Sequence, residues 1–422
     1  MEPPPFPARG ASGAGADPNP GWTRAPWFGV PQPPASAAMP PPPPRARETA
    51  SSSTTPSAAA LAAARDAAFE PVGWREYFDR ALDIPVGDVD VFRVYTARDE
   101  GANDAAPASS ASSASSVPID TIVLCVHGCP CTALSWAPAA RALARRLGPS
   151  RVVAAVDLRG HGETRCANDS ALDADTLAAD LVAVAAALRR RFEFKKIRDA
   201  NGHERKRPNV FLVGHSAGGA AAARAASSSF VDDGATFAGV AMVDATEGAG
   251  LAAIPRMEAN LAAGVRPESF ASERDAVAWA LRAGLTRNVD AARVSVPSQL
   301  ARSRLGDDDA SDGLSSSASV FAWRTSLAAT RPHWRGWFEG VSRAFLAAPC
   351  PKLLVLAGVD RLDDELVVAQ MSGKFQTVLF PDAGHAVHED EPERVADAVA
   401  AFVRRYAGAT RAGNGLYACA TR

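Results

Sequence analysis

The chain has 422 residues, 22% of them charged and 47% hydrophobic, and a formal net charge of −2. So even a balance leaves no electrostatic footprint for nucleic acid, and no apolar run approaches the length of a membrane span, so a soluble protein is expected. Six cysteines spread over so long a chain suit a reducing compartment rather than a disulfide framework, and Cys129-Pro130-Cys131 is too short to form a zinc site by itself.

Residues 1–66 carry the run Pro40-Pro41-Pro42-Pro43-Pro44 and Ser/Thr/Ala repeats, with too few large apolar side chains for a core, so a disordered arm is expected. Its first thirty residues lack the hydrophobic centre of a secretory signal. Ala, Ser and Pro with scattered Arg would suit organelle targeting, against which Glu2 and Asp17 count. From Pro71, β-branched runs alternate with Ala- and Leu-rich segments of helical period, which predicts one α/β domain over 67–410, with a mainly parallel sheet, and a tail at 411–422. Asp90 to Tyr95 alternates and predicts an early antiparallel strand. Ile122 to Val126, Val152 to Val156, Val210 to Val213, Val240 to Val243, Leu353 to Ala357 and Thr377 to Phe380 read as strands buried on both faces. Leu177, Leu181, Val184 and Leu188 recur at helical spacing, as do Val395, Val399, Phe402 and Tyr406. Three stretches, about 101–117, 195–208 and 303–319, read as flexible surface inserts; the second is basic and the third carries Asp307-Asp308-Asp309. Residues from about 246 to 347 break the alternation. They predict a helical cap over the carboxyl edge of the sheet, with helices over Asp275 to Ala283 and His333 to Phe345 and almost no strand signal. Trp279, Trp323, Trp334 and Trp337 are assigned mainly to packing.

Gly214-His215-Ser216-Ala217-Gly218 stands between the strand Val210 to Val213 and a run of small residues, so Ser216 is placed where a strand turns sharply into a helix. Only residues without bulk fit two positions either side of such a turn, hence Gly214 and Gly218. A serine hydroxyl needs an imidazole to take its proton and a carboxylate to orient that imidazole. His385, after the last strand and before the last helix, fits the base; His388, His215 and His127 read as structural. Two acids end strands on the same edge, Asp244 and Asp360, and spacing does not separate them, although position alone favours Asp360. The oxyanion donors expected are the backbone amides of Ala217 and, because Pro130 has no N–H, Cys129.

Longer phrases add to these. Pro71-Val72-Gly73-Trp74, Ala133-Leu134-Ser135-Trp136, Asp157-Leu158-Arg159-Gly160-His161-Gly162-Glu163-Thr164 and Val243-Asp244-Ala245-Thr246-Glu247-Gly248 are followed by Trp334-Arg335-Gly336-Trp337-Phe338, Leu356-Ala357-Gly358-Val359-Asp360-Arg361-Leu362-Asp363, Gly373-Lys374-Phe375-Gln376 and Gly384-His385-Ala386-Val387-His388-Glu389-Asp390. Together they resemble the protein phosphatase methylesterases. The resemblance implies an α/β-hydrolase fold and a serine esterase that removes the methyl ester from the C-terminal leucine of the protein phosphatase 2A catalytic subunit, its partner. It implies Ser216 as nucleophile, His385 as base and Asp244 as the acid, no cofactor or metal, and a cytoplasmic, also nuclear, location. The chain departs from the family at one mechanistic point, reading His127-Gly128-Cys129-Pro130 where the family shows a glycine-rich HGGG-like run, and its Pro-rich arm and three inserts have no counterpart there. The rival readings are a general small-molecule carboxylesterase and a catalytically silent phosphatase-binding protein.

Overall fold

The computed structural model describes residues 67–99, 117–192, 197–198, 204–205, 207–228, 236–304, 319–408, 410–411 and 417–418. One eight-stranded sheet organises them: β1 (Arg80–Val86), β2 (Asp90–Arg98), β3 (Thr121–Val126), β4 (Arg151–Val156), β5 (Asn209–His215), β6 (Gly239–Val243), β7 (Lys352–Leu356) and β8 (Gln376–Leu379). Their spatial order is β1-β2-β4-β3-β5-β6-β7-β8. β2 runs antiparallel to both β1 and β4, and all pairs from β4 to β8 are parallel.

Alternate residues of the central strands feed two cores. Leu124, Leu212, Met242 and Leu354 point to the face covered by α1 (Ala174–Arg191) and α2 (Ala217–Ser227), where Trp334, Trp337, Phe338 and Phe345 also pack. Val123, Val213, Ala241 and Val355 point to the other face, which the helices Ala137–Leu147 and Pro392–Tyr406 cover. Double coverage is why these strands read as unbroken apolar runs. Among the described residues no helix is long and apolar enough to cross a membrane.

The structure departs from the sequence reading at the periphery. β1 was not anticipated, since Arg80-Ala81-Leu82-Asp83-Ile84-Pro85-Val86 mixes polarity and holds a proline, which only an edge strand tolerates. β8, expected to be buried on both faces, is the opposite edge, with Leu379 exposed. The expectation of almost no strand between 246 and 347 is corrected. Ser269–Phe270, Leu300–Arg304 and Ser319–Trp323 form a three-stranded antiparallel sheet there. Leu300–Arg304 is hidden from propensity by its Ala, Arg and Ser and Ser269–Phe270 by its shortness, whereas Val320, Phe321 and Trp323 do carry a strand signal, in only five residues; Phe270, Val277, Val296 and Leu300, packed with Trp279 and Trp323, make a small separate core beneath the sheet. The expected helix His333 to Phe345 divides at Gly340, which adopts φ 80°, into Trp334–Phe338 and Val341–Ala347. The arm 1–66 lies outside the described residues, as do nearly all of the 101–117 insert and the centre of 303–319, whose ends belong to the cap strands. Ile197–Arg198 and Glu204–Arg205 pair as a short ribbon within the 195–208 insert, and Thr410–Arg411 and Tyr417–Ala418 as another in the tail.

Candidate active site

Four loops meet at the carboxyl edge of the sheet, where ligands collect in open parallel architectures. The first follows β5. Ser216 has φ 52° and ψ −125°, and α2 starts at the next residue. The glycines are dictated by contact: a Cβ on Gly214 would lie 2.3 Å from the carbonyl oxygen of Gly218, and one on Gly218 would lie 2.2 Å from that of His127. The Ser216 amide donates to the carbonyl of Val243 at 3.0 Å, which ties the turn to the neighbouring strand.

The second loop follows β6. Asp244, at φ 49°, donates its amide to Val355 at 2.7 Å, and its Oδ1 accepts from the amide of Ala357 at 3.2 Å. Its Oδ2 accepts from His385 Nδ1 at 2.6 Å and from Arg361 Nη1. His385 Nε2 lies 3.1 Å from Ser216 Oγ. With the Nδ1 proton committed to Asp244, Nε2 presents its lone pair to the serine hydroxyl, the tautomer that proton abstraction requires. Burial alone pushes the Asp244 carboxyl up. The His385 hydrogen bond, the charges of His385 and Arg361 and the Ala357 amide outweigh it and hold the carboxyl below its ordinary value. Asp360, which strand position favoured, sits exposed on the 3-10 turn Val359–Arg361.

The third loop, His127 to Cys131, is braced from beneath. His127 Nε2 accepts the amide of Leu158 at 2.9 Å, which leaves its Nδ1 proton for the carbonyl of Gly128 at 3.0 Å. Asp157 accepts the amides of Ala133 at 2.7 Å and Glu163 at 2.9 Å, and burial raises its carboxyl to about 6 against these bonds. Cys129 and Ala217, the expected oxyanion donors, both line the pocket above Ser216. The Cys129 thiol is pushed up to about 12, mainly by burial, and is neutral at physiological pH.

The fourth loop carries His385. His388 stands three residues on in the short helix Val387–Asp390, buried, with its ring 4.2 Å from that of Trp136 and Nε2 3.3 Å from Ser135 Oγ. His215 holds the loop from below, its Nε2 2.9 Å from the carbonyl of His385. Above these loops a pocket, open to solvent, is lined by Cys129, Ser216, Asp244, Arg361 and His385 on its polar side. Its apolar side comes from Ala249, Gly250 and Met257 of α3 (Glu247–Ala262) with Trp337 and Phe338. Sequence reasoning missed Arg361 and this apolar wall; the signal was present in the Asp360-Arg361 pair and in Thr246 to Gly250.

A nucleophile elbow, a strand-end acid and a late histidine on this sheet order define an α/β hydrolase, and residues 123–398 match the model of the alpha/beta hydrolase family. A solved E-2-(acetamidomethylene)succinate hydrolase superposes with a TM-score of 0.53 over 77% of this chain and 98% of its own, at 20% identity, a likeness of fold. Protein phosphatase methylesterase 1 of Bos taurus is 36% identical over 81% of this chain and 88% of its own length, and that of Homo sapiens 35% identical over 81% and 86%. A probable protein phosphatase methylesterase 1 of Caenorhabditis elegans is 36% identical over 79% and 77%. The chain belongs to the protein phosphatase methylesterase family.

Proposed function

We propose that the chain hydrolyses the methyl ester on the C-terminal leucine of the protein phosphatase 2A catalytic subunit, with Ser216 as nucleophile, His385 as general base and acid, and Asp244 as the acid that orients it. The observation that carries this reading is the hydrogen-bonded series from Ser216 Oγ through His385 to Asp244 at the floor of the pocket. Ser216 Oγ attacks the ester carbonyl carbon while its proton passes to His385 Nε2. The tetrahedral intermediate places its oxyanion toward the amides of Ala217 and Cys129, each such donor contributing about 3 kcal/mol to the barrier. Collapse breaks the bond to the methoxy oxygen, which leaves as methanol with the proton from His385. Water then attacks the acyl-enzyme, gives its proton to His385, and the second collapse returns a proton to Ser216 and frees the leucine carboxylate.

A methyl group offers little surface to bind, so selectivity comes from the acyl side. The wall formed by α3, Trp337 and Phe338 suits an aliphatic side chain next to the ester carbonyl. The names of the relatives, which place a methyl ester on a protein phosphatase, support that substrate class; the catalytic subunit of phosphatase 2A follows from the motif resemblance.

A fluorophosphonate probe tests the relay directly. Label located on Ser216 by peptide mass spectrometry, and lost in His385→Ala, is the expected result. An unlabelled protein that still binds the phosphatase is a silent scaffold, and a labelled one that turns over small chromogenic esters but ignores the methylated phosphatase is a general esterase.

A further inference from the structure

Asp244 Oδ2 holds two donors: His385 Nδ1 and Arg361 Nη1 share the one oxygen. Arg361 reaches it from the 3-10 turn after β7, where Thr246 Oγ1 donates to the Arg361 carbonyl at 2.5 Å and fixes the turn against α3. The Asp244 side chain is fully buried and that of Arg361 is 11% exposed, so bulk water screens this pair weakly. A carboxylate with a histidine as its sole cationic partner strengthens that histidine's hold on a proton. A guanidinium on the same oxygen opposes it.

We propose that Arg361 is a positioning residue that sets the pH range of the hydrolysis: its fixed charge on Asp244 Oδ2 opposes the pull of that carboxylate on His385, so the acid limb of the activity depends on the guanidinium. The inference rests on the reading of Ser216, His385 and Asp244 as the relay. A guanidinium is charged at every pH at which enzymes work, so this opposition does not titrate away.

The neighbouring rings of His215 and His388, and Asp390 and Arg287 on the loop backbone, act differently. The His215 ring lies 4.7 Å from that of His385, and His388 lies 4.5 Å from His215. Burial pushes His215 down to about 3 and His388 well below its ordinary value, so both rings stay neutral. Asp390 and Arg287 pack on the backbone of the His385 loop, Asp390 accepting the Gly384 amide at 2.7 Å and Arg287 donating to the Asp382 carbonyl at 2.5 Å. Arg361 is the cation hydrogen-bonded to the carboxylate oxygen that faces His385.

The test is kcat/KM against pH, with methyl-ester substrate, for the native protein, Arg361→Gln, which keeps an N–H donor without charge, and Arg361→Lys, which keeps the charge. The acid limb of Arg361→Gln is expected about one pH unit higher than native, roughly a tenfold loss on that limb relative to the variant's own neutral plateau, whatever the height of that plateau. Arg361→Lys is expected to retain the native limb. An Arg361→Gln profile of native shape, whether unchanged or scaled down evenly at every pH, overturns the proposal and leaves Arg361 as a prop for its turn. Should Arg361→Gln melt below the assay temperature, Arg361→Met, neutral and of similar length, replaces it under the same criteria. Ser216→Ala run alongside keeps the two readings apart. Full activity in Ser216→Ala defeats the relay itself, whereas an inactive Ser216→Ala with an unmoved Arg361→Gln limb defeats only the role of Arg361.

Discussion

Ser216 and Asp244 are the non-glycine residues with positive φ among the described residues, at 52° and 49°, and each ends a parallel strand. Such conformations cost about 1–3 kcal/mol apiece and persist where the surroundings over-determine them. Both turns are pinned by amide bonds to the next strand, Ser216 to Val243 and Asp244 to Val355, which stops each side chain at the sheet edge, where it faces His385. Asparagine accepts the same φ as aspartate and has the same shape, so Asp244→Asn alters the chemistry while sparing the turn. Its amide group can face His385 Nδ1 as a donor, which favours the wrong tautomer. A fall in kcat of about 10⁴-fold is expected. Asp360→Asn, on its exposed turn, is expected within twofold of native, and steady-state rates on the methyl ester compare the two. Equal losses in both variants would remove Asp244 from the relay.

At the level of elements, the parallel strands were legible because a strand covered on both faces must be apolar throughout, and Val210 to Val213 or Leu353 to Ala357 can be little else. The elbow was legible for a related reason. A Cβ on Gly214 or on Gly218 would lie 2.3 Å or 2.2 Å from a backbone oxygen, so the glycines are written into the chain. Peripheral strands were not legible, because β1 and the cap strands are partly exposed and carry Arg, Ser and Pro at positions where water satisfies them. Nor could spacing separate Asp244 from Asp360. The difference lies in a left-handed turn at one strand end and an outward 3-10 turn at the other, set by tertiary hydrogen bonds. The substrate wall has a similar origin. Gly250 on α3 packs so closely on Phe338 that a Cβ would lie 2.4 Å from the ring. Gly250→Ala must therefore move the ring, and the pocket is the open space beside it. A fall of about tenfold in kcat/KM on the leucine methyl ester is expected, the scale of one misfitting methylene, with activity restored in Gly250→Ala/Phe338→Leu. An unchanged kcat/KM in Gly250→Ala would show that this wall does not contact substrate.

Across the whole molecule, the sheet supplies a rigid edge and α3, with Trp337 and Phe338, supplies the apolar wall of the pocket. Only the ester group itself meets Ser216 and His385, and the rest of the lining, from Ala249 to Met257 with Trp337 and Phe338, faces whatever carries the ester. A protein terminus ending in a short aliphatic residue suits that geometry, since its tail can leave through the open side while its last side chain meets the apolar wall. The most direct measurement follows methyl-ester loss from the fully methylated protein phosphatase 2A catalytic subunit, comparing the native protein with Ser216→Ala at equal concentration. Complete demethylation by the native protein is predicted, with a rate at least about 10⁴-fold lower for Ser216→Ala. Demethylation by Ser216→Ala at the native rate, or a native protein that leaves the phosphatase methylated, would contradict it.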